Sequence, residues 1–272
     1  MKEIEKITSR DNRRLVNVRK VRDGKASGQI FVEGRRLVEE ALRSELVIDE
    51  CFIVDDFLNR ELVDVVAKQT NQIFEIPKKL FNSMADTEQP QGIVLIAKRP
   101  ITGAESINHN LPFATLPLVV FLNEINNPSN LGAIMRTAEA AGVAGVVVST
   151  NSADVYSPKA LRAAMGASFR LPICENAAFN EVLMWAKEAN LTTTAADISA
   201  TNSYTQIDWK KPRLLVFGSE AHGLTSEDLE KIDEKVGIPM AKAVESLNLA
   251  VSAGVILFEA RRQLIGNSIK SR

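Results

Sequence analysis

Residues 237–263 read GIPMAKAVESLNLAVSAGVILFEARRQ, a strand end, a loop and a long helix in succession. From Leu247 to Phe258 the run is apolar on nearly every side and interspersed with Ala, Ser and Gly. A surface helix would carry a polar stripe, so this one is expected to be covered on both faces, either deep in a domain or half in a subunit interface. Its run of about twelve apolar residues falls short of the ~20 that cross a bilayer. The loop ahead of it, Ala241 to Asn248, sets Lys242, Glu245, Ser246 and Asn248 at the edge of a rigid apolar support, as a binding site requires.

Upstream of this stretch, apolar strands at Leu118–Leu122, Gly145–Ser149, Leu171–Cys174, Leu191–Ala195 and Leu214–Phe217 alternate with helices at Asn130–Ala141, Pro158–Met165 and Phe179–Ala189. Continuous, β-branched strands separated by helices indicate a parallel sheet buried on both faces. In such a sheet, sites form at the carboxyl ends of the strands. Between Lys98 and Pro117 the pattern breaks up around Pro100, Gly103, Pro112 and Pro117, which predicts a linker over 100–117. It divides a domain at 118–272 from one at 1–99. The first domain also alternates, with strands at Gln29–Val32, Val47–Val54, Ile73–Ile76 and Gly92–Ala97. Helices are expected at 9–22, Glu33–Leu42, Arg60–Gln69 and Lys78–Ala85. The fold class is therefore α/β in two domains, the first small, the second built on a parallel sheet.

The chain has 272 residues, 45% of them apolar and 25% charged, the composition of a soluble globular protein. No signal peptide or membrane anchor follows Lys2, Glu3, Glu5 and Lys6, so a cytoplasmic location is expected. Cys51 and Cys174 have no Cys or His at ligand spacing, so neither a disulfide nor a metal site is expected. The net charge of −1 is unevenly distributed: residues 1–36 hold eleven Lys or Arg against five acids, leaving −7 on the other 236 residues. A cationic end on a near-neutral protein suits a polyanion, in a cytoplasmic protein most often nucleic acid, the alternative being a solvated charged helix. On the predicted helix at 9–22, Leu15, Val18 and Val21 turn inward and Arg13, Arg14, Arg19 and Arg22 largely outward.

Three loops carry the polar residues of the second domain. The first, NEINNPSNLGAIMRTAEAAG at 123–142, leads from a strand into a helix, with Asn127 as N-cap and Pro128 in the first turn. Asn130 and Arg136 stand six positions apart, about 240° round a helix, and could meet at one site only if Asn130 still belongs to the entry turn ahead of the helix. The second, LLVFGSEAHGLTSEDL at 214–229, runs from a buried strand into Gly218, Ser219, Glu220 and Gly223, with Ser226 expected to cap the next helix. Glycine at a strand end lets a ligand approach backbone N–H groups, and His222 reads as a turn residue. No Gly-Lys-Ser/Thr or G-x-S-x-G follows, which excludes a phosphate loop and a nucleophile elbow. In the third loop, Ser246 has no evident base partner and reads as a hydrogen-bond donor.

In order and spacing the three loops resemble the motifs of the SpoU/TrmH group of SPOUT RNA 2'-O-ribose methyltransferases. NPSNLGAIMRTAEAAGV is similar to the first motif, VFGSEAHGL to the second and IPMAKAVESLNLAVSAGV to the third. ITSRDNRR and FVEGRRLVEEAL resemble, more loosely, the small ribosomal-protein-like RNA-binding domain that often precedes the catalytic one. The resemblance implies a deep trefoil knot in 118–272 and a homodimer packed through the C-terminal helix. It implies S-adenosylmethionine as cofactor, held at Gly218, Ile238 and Leu247, and no metal. Asn130, Arg136, Glu220, Ser246 and Asn248 fall on the family's polar positions. Lys242 stands where the third motif usually has Gly, and Ala250 where Ser is common.

The implied reaction moves a methyl group from a sulfonium donor to a ribose 2'-hydroxyl of structured RNA. Arg136, too basic to accept a proton, is expected to clamp the adjacent phosphate, with Glu220 orienting it. Asn130 and Asn248 would fix the hydroxyl and the loop, and a phosphate oxygen or water would take the proton. Ribosomal RNA is preferred to transfer RNA because of the added N-terminal domain. The alternatives are a non-catalytic RNA-binding or ribosome-assembly factor of the same fold, a transfer RNA 2'-O-methyltransferase and a base methyltransferase.

Overall fold

In a computed structural model, which describes residues 4–241 and 246–265, the chain forms two compact units. One gathers the residues up to Ile101 with Val155–Arg170, the other Thr102–Asp154 with the chain from Leu171 onward.

The first unit runs β1 (Glu5–Lys6), α1 (Arg13–Arg22), β2 (Gln29–Glu33), α2 (Arg35–Arg43), β3 (Ile48–Val54), α3 (Arg60–Val66), β4 (Ile73–Ile76), α4 (Lys78–Met84) and β5 (Ile93–Lys98). Its sheet has the order β1-β4-β3-β5-β2, with β5 antiparallel to both neighbours. Helix α1 begins at Arg13 rather than after Ser9, because the Asn12 side chain accepts from the Arg14 amide and caps it. Leu15, Val18 and Val21 are buried as expected. The arginines are less free than the sequence suggests. Arg14 pairs with Glu50 and stacks 4.4 Å from the Phe74 ring, Arg19 donates to the Arg10 carbonyl at 2.9 Å, and Arg22 donates to the Ala85 carbonyl at 3.1 Å. Arg13 and Lys20 remain exposed on this helix.

After β5 come α5 (Ala104–Asn110), β6 (Leu116–Leu122), α6 (Pro128–Ala141), β7 (Val143–Ser149), α7 (Pro158–Ala164), α8 (Ala167–Arg170), β8 (Ile173–Ala177), α9 (Phe179–Glu188), β9 (Thr192–Ala196), β10 (Arg213–Phe217), α10 (Ser226–Glu230), β11 (Glu234–Val236) and α11 (Leu249–Ile265). Six strands form the second unit's sheet in the order β11-β9-β10-β6-β7-β8, and every pairing is parallel. Strands β6, β7 and β10 are buried almost throughout, which matches the expected two-sided cover.

Two expectations give way. The stretch 100–117 is not a bare linker: α5 buries Ile107 in the second core, and Asn110 donates to the Ala144 carbonyl at 2.7 Å. Gly145 makes the notch, since a Cβ there would meet Ile107 Cγ1 at 2.8 Å. The helix at 158–164 belongs to the first unit, where Arg162 pairs with Asp86 at 2.6 Å, and Arg170 of α8 with Glu40 at 2.6 Å. Helix α11 buries Ala253, Ile256, Leu257 and Ala260 on one face while Val251, Phe258 and Ile265 stay exposed, so a single chain covers only one side. No helix among the described residues is long and apolar enough to cross a membrane.

Candidate functional site

Because the sheet is parallel, β6, β9, β10 and β11 deliver their following loops to one edge, beside the start of α11. There they enclose a cavity of about 580 Å³. Asn127 caps α6 by accepting from the Ser129 amide at 2.9 Å, with Pro128 at the first helical position, as the sequence predicts. Asn130 therefore lies in the opening turn.

Its side chain joins the three loops. Glu220 accepts from the amides of Asn126 and Asn127 and from Asn130 Nδ2, each at 3.2 Å. Asn130 Oδ1 accepts from Asn248 Nδ2 at 3.1 Å, and Asn248 Oδ1 caps α11 by accepting from the Ala250 amide at 2.9 Å. Partial desolvation pushes the Glu220 carboxyl up. The donors on Asn130, on its own amide and on Asn126 and Asn127 outweigh it and hold the group below the ordinary glutamate range. The ionised form of Glu220 is thus built into the wall.

In the second loop, Ser219 and Gly223 exchange N–H···O bonds of 3.1 and 2.9 Å, closing a tight turn. Gly218 lies beneath it, where a Cβ would stand 2.2 Å from the Gly223 carbonyl carbon. Thr225, not Ser226, caps α10, accepting from the Asp228 amide at 3.1 Å.

Of the residues singled out from sequence, Asn130, Glu220, Ser246, Asn248, Ile238 and Leu247 line this cavity. Gly218 does not: its neighbours Phe217 and Ser219 do, and the glycine is required by the chain folding over itself. Arg136 is exposed on α6, outside the cavity, since both it and Asn130 are helical and face directions about 240° apart. Glu220 consequently orients Asn130 and the opening turn rather than Arg136. Lys242 lies outside the described residues. Asp197 and Ile198 after β9, and His222 in the second loop, also line the cavity, and sequence reasoning misses all three. The rule that sites form at strand carboxyl ends points to the β9 end; His222 reads from sequence as a turn residue, and it is both that and part of the wall.

The cavity falls within the ~300–1,000 Å³ typical of small-molecule sites, and its mix of Ile238, Leu247 and Ile256 with serine, asparagine and carboxylate groups suits an adenosyl ligand with a charged tail. Among the described residues, no three His, Cys, Asp or Glu side chains converge as a metal site.

Residues 117–258 match the SpoU rRNA Methylase family, and residues 2–95 the MRM3-like substrate binding domain. An uncharacterized tRNA/rRNA methyltransferase of Synechocystis sp. is 34% identical over 266 residues, covering 96% of this chain and 95% of that protein. The 23S rRNA (guanosine(2553)-2'-O)-methyltransferase of Bacillus subtilis is 29% identical, covering 96% of this chain and 100% of that protein. The structure is similar to that of an AdoMet-bound rRNA methyltransferase from Sinorhizobium meliloti, with a TM-score of 0.84 and 28% identity over 96% of this chain and 98% of that one.

Proposed function

The chain belongs to the SpoU rRNA methylase family, and from that premise we propose that it transfers a methyl group from S-adenosylmethionine to a ribose 2'-hydroxyl of structured RNA, ribosomal in preference to transfer RNA. The observation that carries this reading is the Glu220–Asn130–Asn248 chain, which ties three loops up to 118 residues apart into one cavity wall. The donor supplies an electrophilic methyl group on a sulfonium that leaves as a neutral thioether, so no acid is needed on that side. Ile238 and Leu247 would hold its apolar part, and Ser246 and Asn248 offer polar contacts. What the protein must provide is position, which contributes up to about 7–11 kcal/mol in well-oriented intramolecular reactions.

Arg136, exposed on α6, is assigned to an RNA phosphate, which a guanidinium binds through paired N–H donors. A homodimer through α11 is part of the same reading, supported by the uncovered Val251, Phe258 and Ile265, and so is a knotted threading of the second unit. The 2'-hydroxyl is common to all four nucleosides, so the reaction alone does not choose the base.

The test is methyl transfer from labelled S-adenosylmethionine to ribosomal RNA, with the product digested to nucleosides. Ribose-methylated nucleosides are expected, and they should vanish in Arg136→Ala while calorimetric cofactor affinity persists. Arg136 standing outside the cavity is what a non-catalytic RNA-binding relative would also display. Cofactor binding without any methylated product would favour that second reading; label on a base would name a base methyltransferase.

A further inference from the structure

A hydroxyl that attacks a methyl group needs a proton acceptor beside it, and the second loop holds a candidate to which the reading above gives no chemical role. Among the described residues, three titratable side chains line the cavity: Asp197 from the loop after β9, and Glu220 and His222 from the loop after β10. Glu220 is committed to three N–H donors at 3.2 Å, which leaves it a poor base. Asp197 Oδ1 accepts from both the amide and the hydroxyl of Ser199, the amide at 2.7 Å, so this carboxylate shapes its own loop. The neighbouring groups from α6 and from the start of α11, Asn130, Asn248 and Ser252, are neutral. Lys242 and Glu245 belong to the segment outside the described residues.

His222 differs from both carboxylates. The reciprocal Ser219–Gly223 bonds fix its backbone, and its own amide donates to Ser219 Oγ at 3.3 Å. Its imidazole takes part in no hydrogen bond or ion pair among the described residues. The residue is thus held in a hydrogen-bonded turn that lines the cavity, exposed to solvent, with its ring nitrogens in no hydrogen bond among the described residues.

We propose that His222 accepts the proton of the attacking 2'-hydroxyl. This rests on the methyltransferase reading above and replaces the phosphate oxygen or water expected from sequence. The imidazole takes the hydroxyl proton on a ring nitrogen as the new O–CH3 bond replaces the donor's S–CH3 bond. The sulfonium charge is thereby lost to a neutral thioether, a cation appears on the ring, and the imidazolium returns its proton to water. Charge and atoms balance with no further reactant.

The experiment uses the full chain, ribosomal RNA extracted from cells lacking this protein, and methyl-tritiated S-adenosylmethionine, under single-turnover conditions at a series of pH values. Wild type is expected to rise with pH and level off. His222→Gln and His222→Ala are expected to keep cofactor affinity by calorimetry within about twofold, to lose roughly 10²–10⁴ in rate and to lose that pH dependence. Added imidazole should restore part of the His222→Ala rate, which a purely structural role would not allow. A variant with the wild-type rate, a slowed variant with the wild-type pH profile, or loss of cofactor affinity in both variants would overturn the assignment. A wild type that binds cofactor yet methylates no ribose would instead overturn the methyltransferase reading itself, and the role of His222 with it.

Discussion

Asparagine at 130 does what neither aspartate nor leucine can: its amide nitrogen donates to Glu220 while its oxygen accepts from Asn248. The polarity of that chain is set at its far end, where a carboxylate can only accept. Burial pushes the Glu220 carboxyl up, but the hydrogen bonds from Asn130, its own amide, Asn126 and Asn127 hold it below the usual value, so the wall is pH-sensitive in a defined direction. A depressed folded pKa contributes stability that is fully present above the ordinary glutamate value of ~4.3 and is lost as pH falls through the lower folded value. Wild type should therefore lose more stability than Glu220→Gln on acidification from neutral pH. The difference is expected to be on the order of 1 kcal/mol, given how exposed the group is. Urea melts of both proteins at each pH measure it. Equal acid sensitivity would mean the donors contribute nothing through this carboxylate.

At the level of elements, the turn after β10 shows why a correct residue can be chosen for an incorrect reason. Sequence reasoning has Gly218 admit a ligand to the backbone, yet a side chain there meets Gly223 backbone at 2.2 Å, far inside van der Waals range. Gly218→Ala must therefore displace the Ser219–Gly223 turn and, with it, Glu220 and His222. Cofactor affinity is expected to fall tenfold or more, about 1.4 kcal/mol, while far-ultraviolet circular dichroism stays close to wild type. Unchanged calorimetric affinity would show that the turn can shift without cost to the cavity. The core strands are legible because β6, β7 and β10 are continuous apolar runs whose length and spacing announce them. Helix α5 is not, because it buries a single residue, Ile107, against a notch at Gly145, 38 positions later, and no local pattern encodes that meeting. Asn130 and Asn248 are legible as polar residues beside apolar helices. Asp197 and His222 are not, since neither stands in a patterned run and only the convergence of strand ends brings them to the cavity. Arg136 carries the right chemistry in the motif, but helical geometry turns it out of its own chain's cavity.

Over the whole molecule, charge and uncovered apolar surface decide how the chain meets its partners. In the first unit the cationic sequence divides into two populations. Arg14 stacks on Phe74 and pairs with Glu50, so Arg14→Ala is expected to destabilise the unit. Exposed Arg13 is available to phosphate, and Arg13→Ala should leave the melting curve alone while lowering the salt slope of RNA binding by about 0.7–0.9 log units, the increment for one phosphate no longer neutralised. Filter binding at several salt concentrations, beside thermal melts, separates the two. In the second unit, Val251, Phe258 and Ile265 are spaced by seven along α11 and are 51%, 49% and 39% exposed, opposite the face formed by Ala253, Ile256, Leu257 and Ala260. A seven-residue repeat keeps one stripe on one side of a helix, and an isologous interface uses that stripe twice. In the proposed dimer a charge placed on it would be buried twice and unpaired both times, each burial costing several kcal/mol, whereas the folded monomer leaves the same charge in water. If the proposed dimer forms, wild type is expected to sediment as a dimer at micromolar concentration and the double variant Val251→Asp, Phe258→Asp as a monomer, with little change in thermal stability extrapolated to the monomer. A wild type that is itself monomeric, or a double variant that still dimerises, would place the subunit interface on another face and leave the apolar side of α11 without its proposed cover.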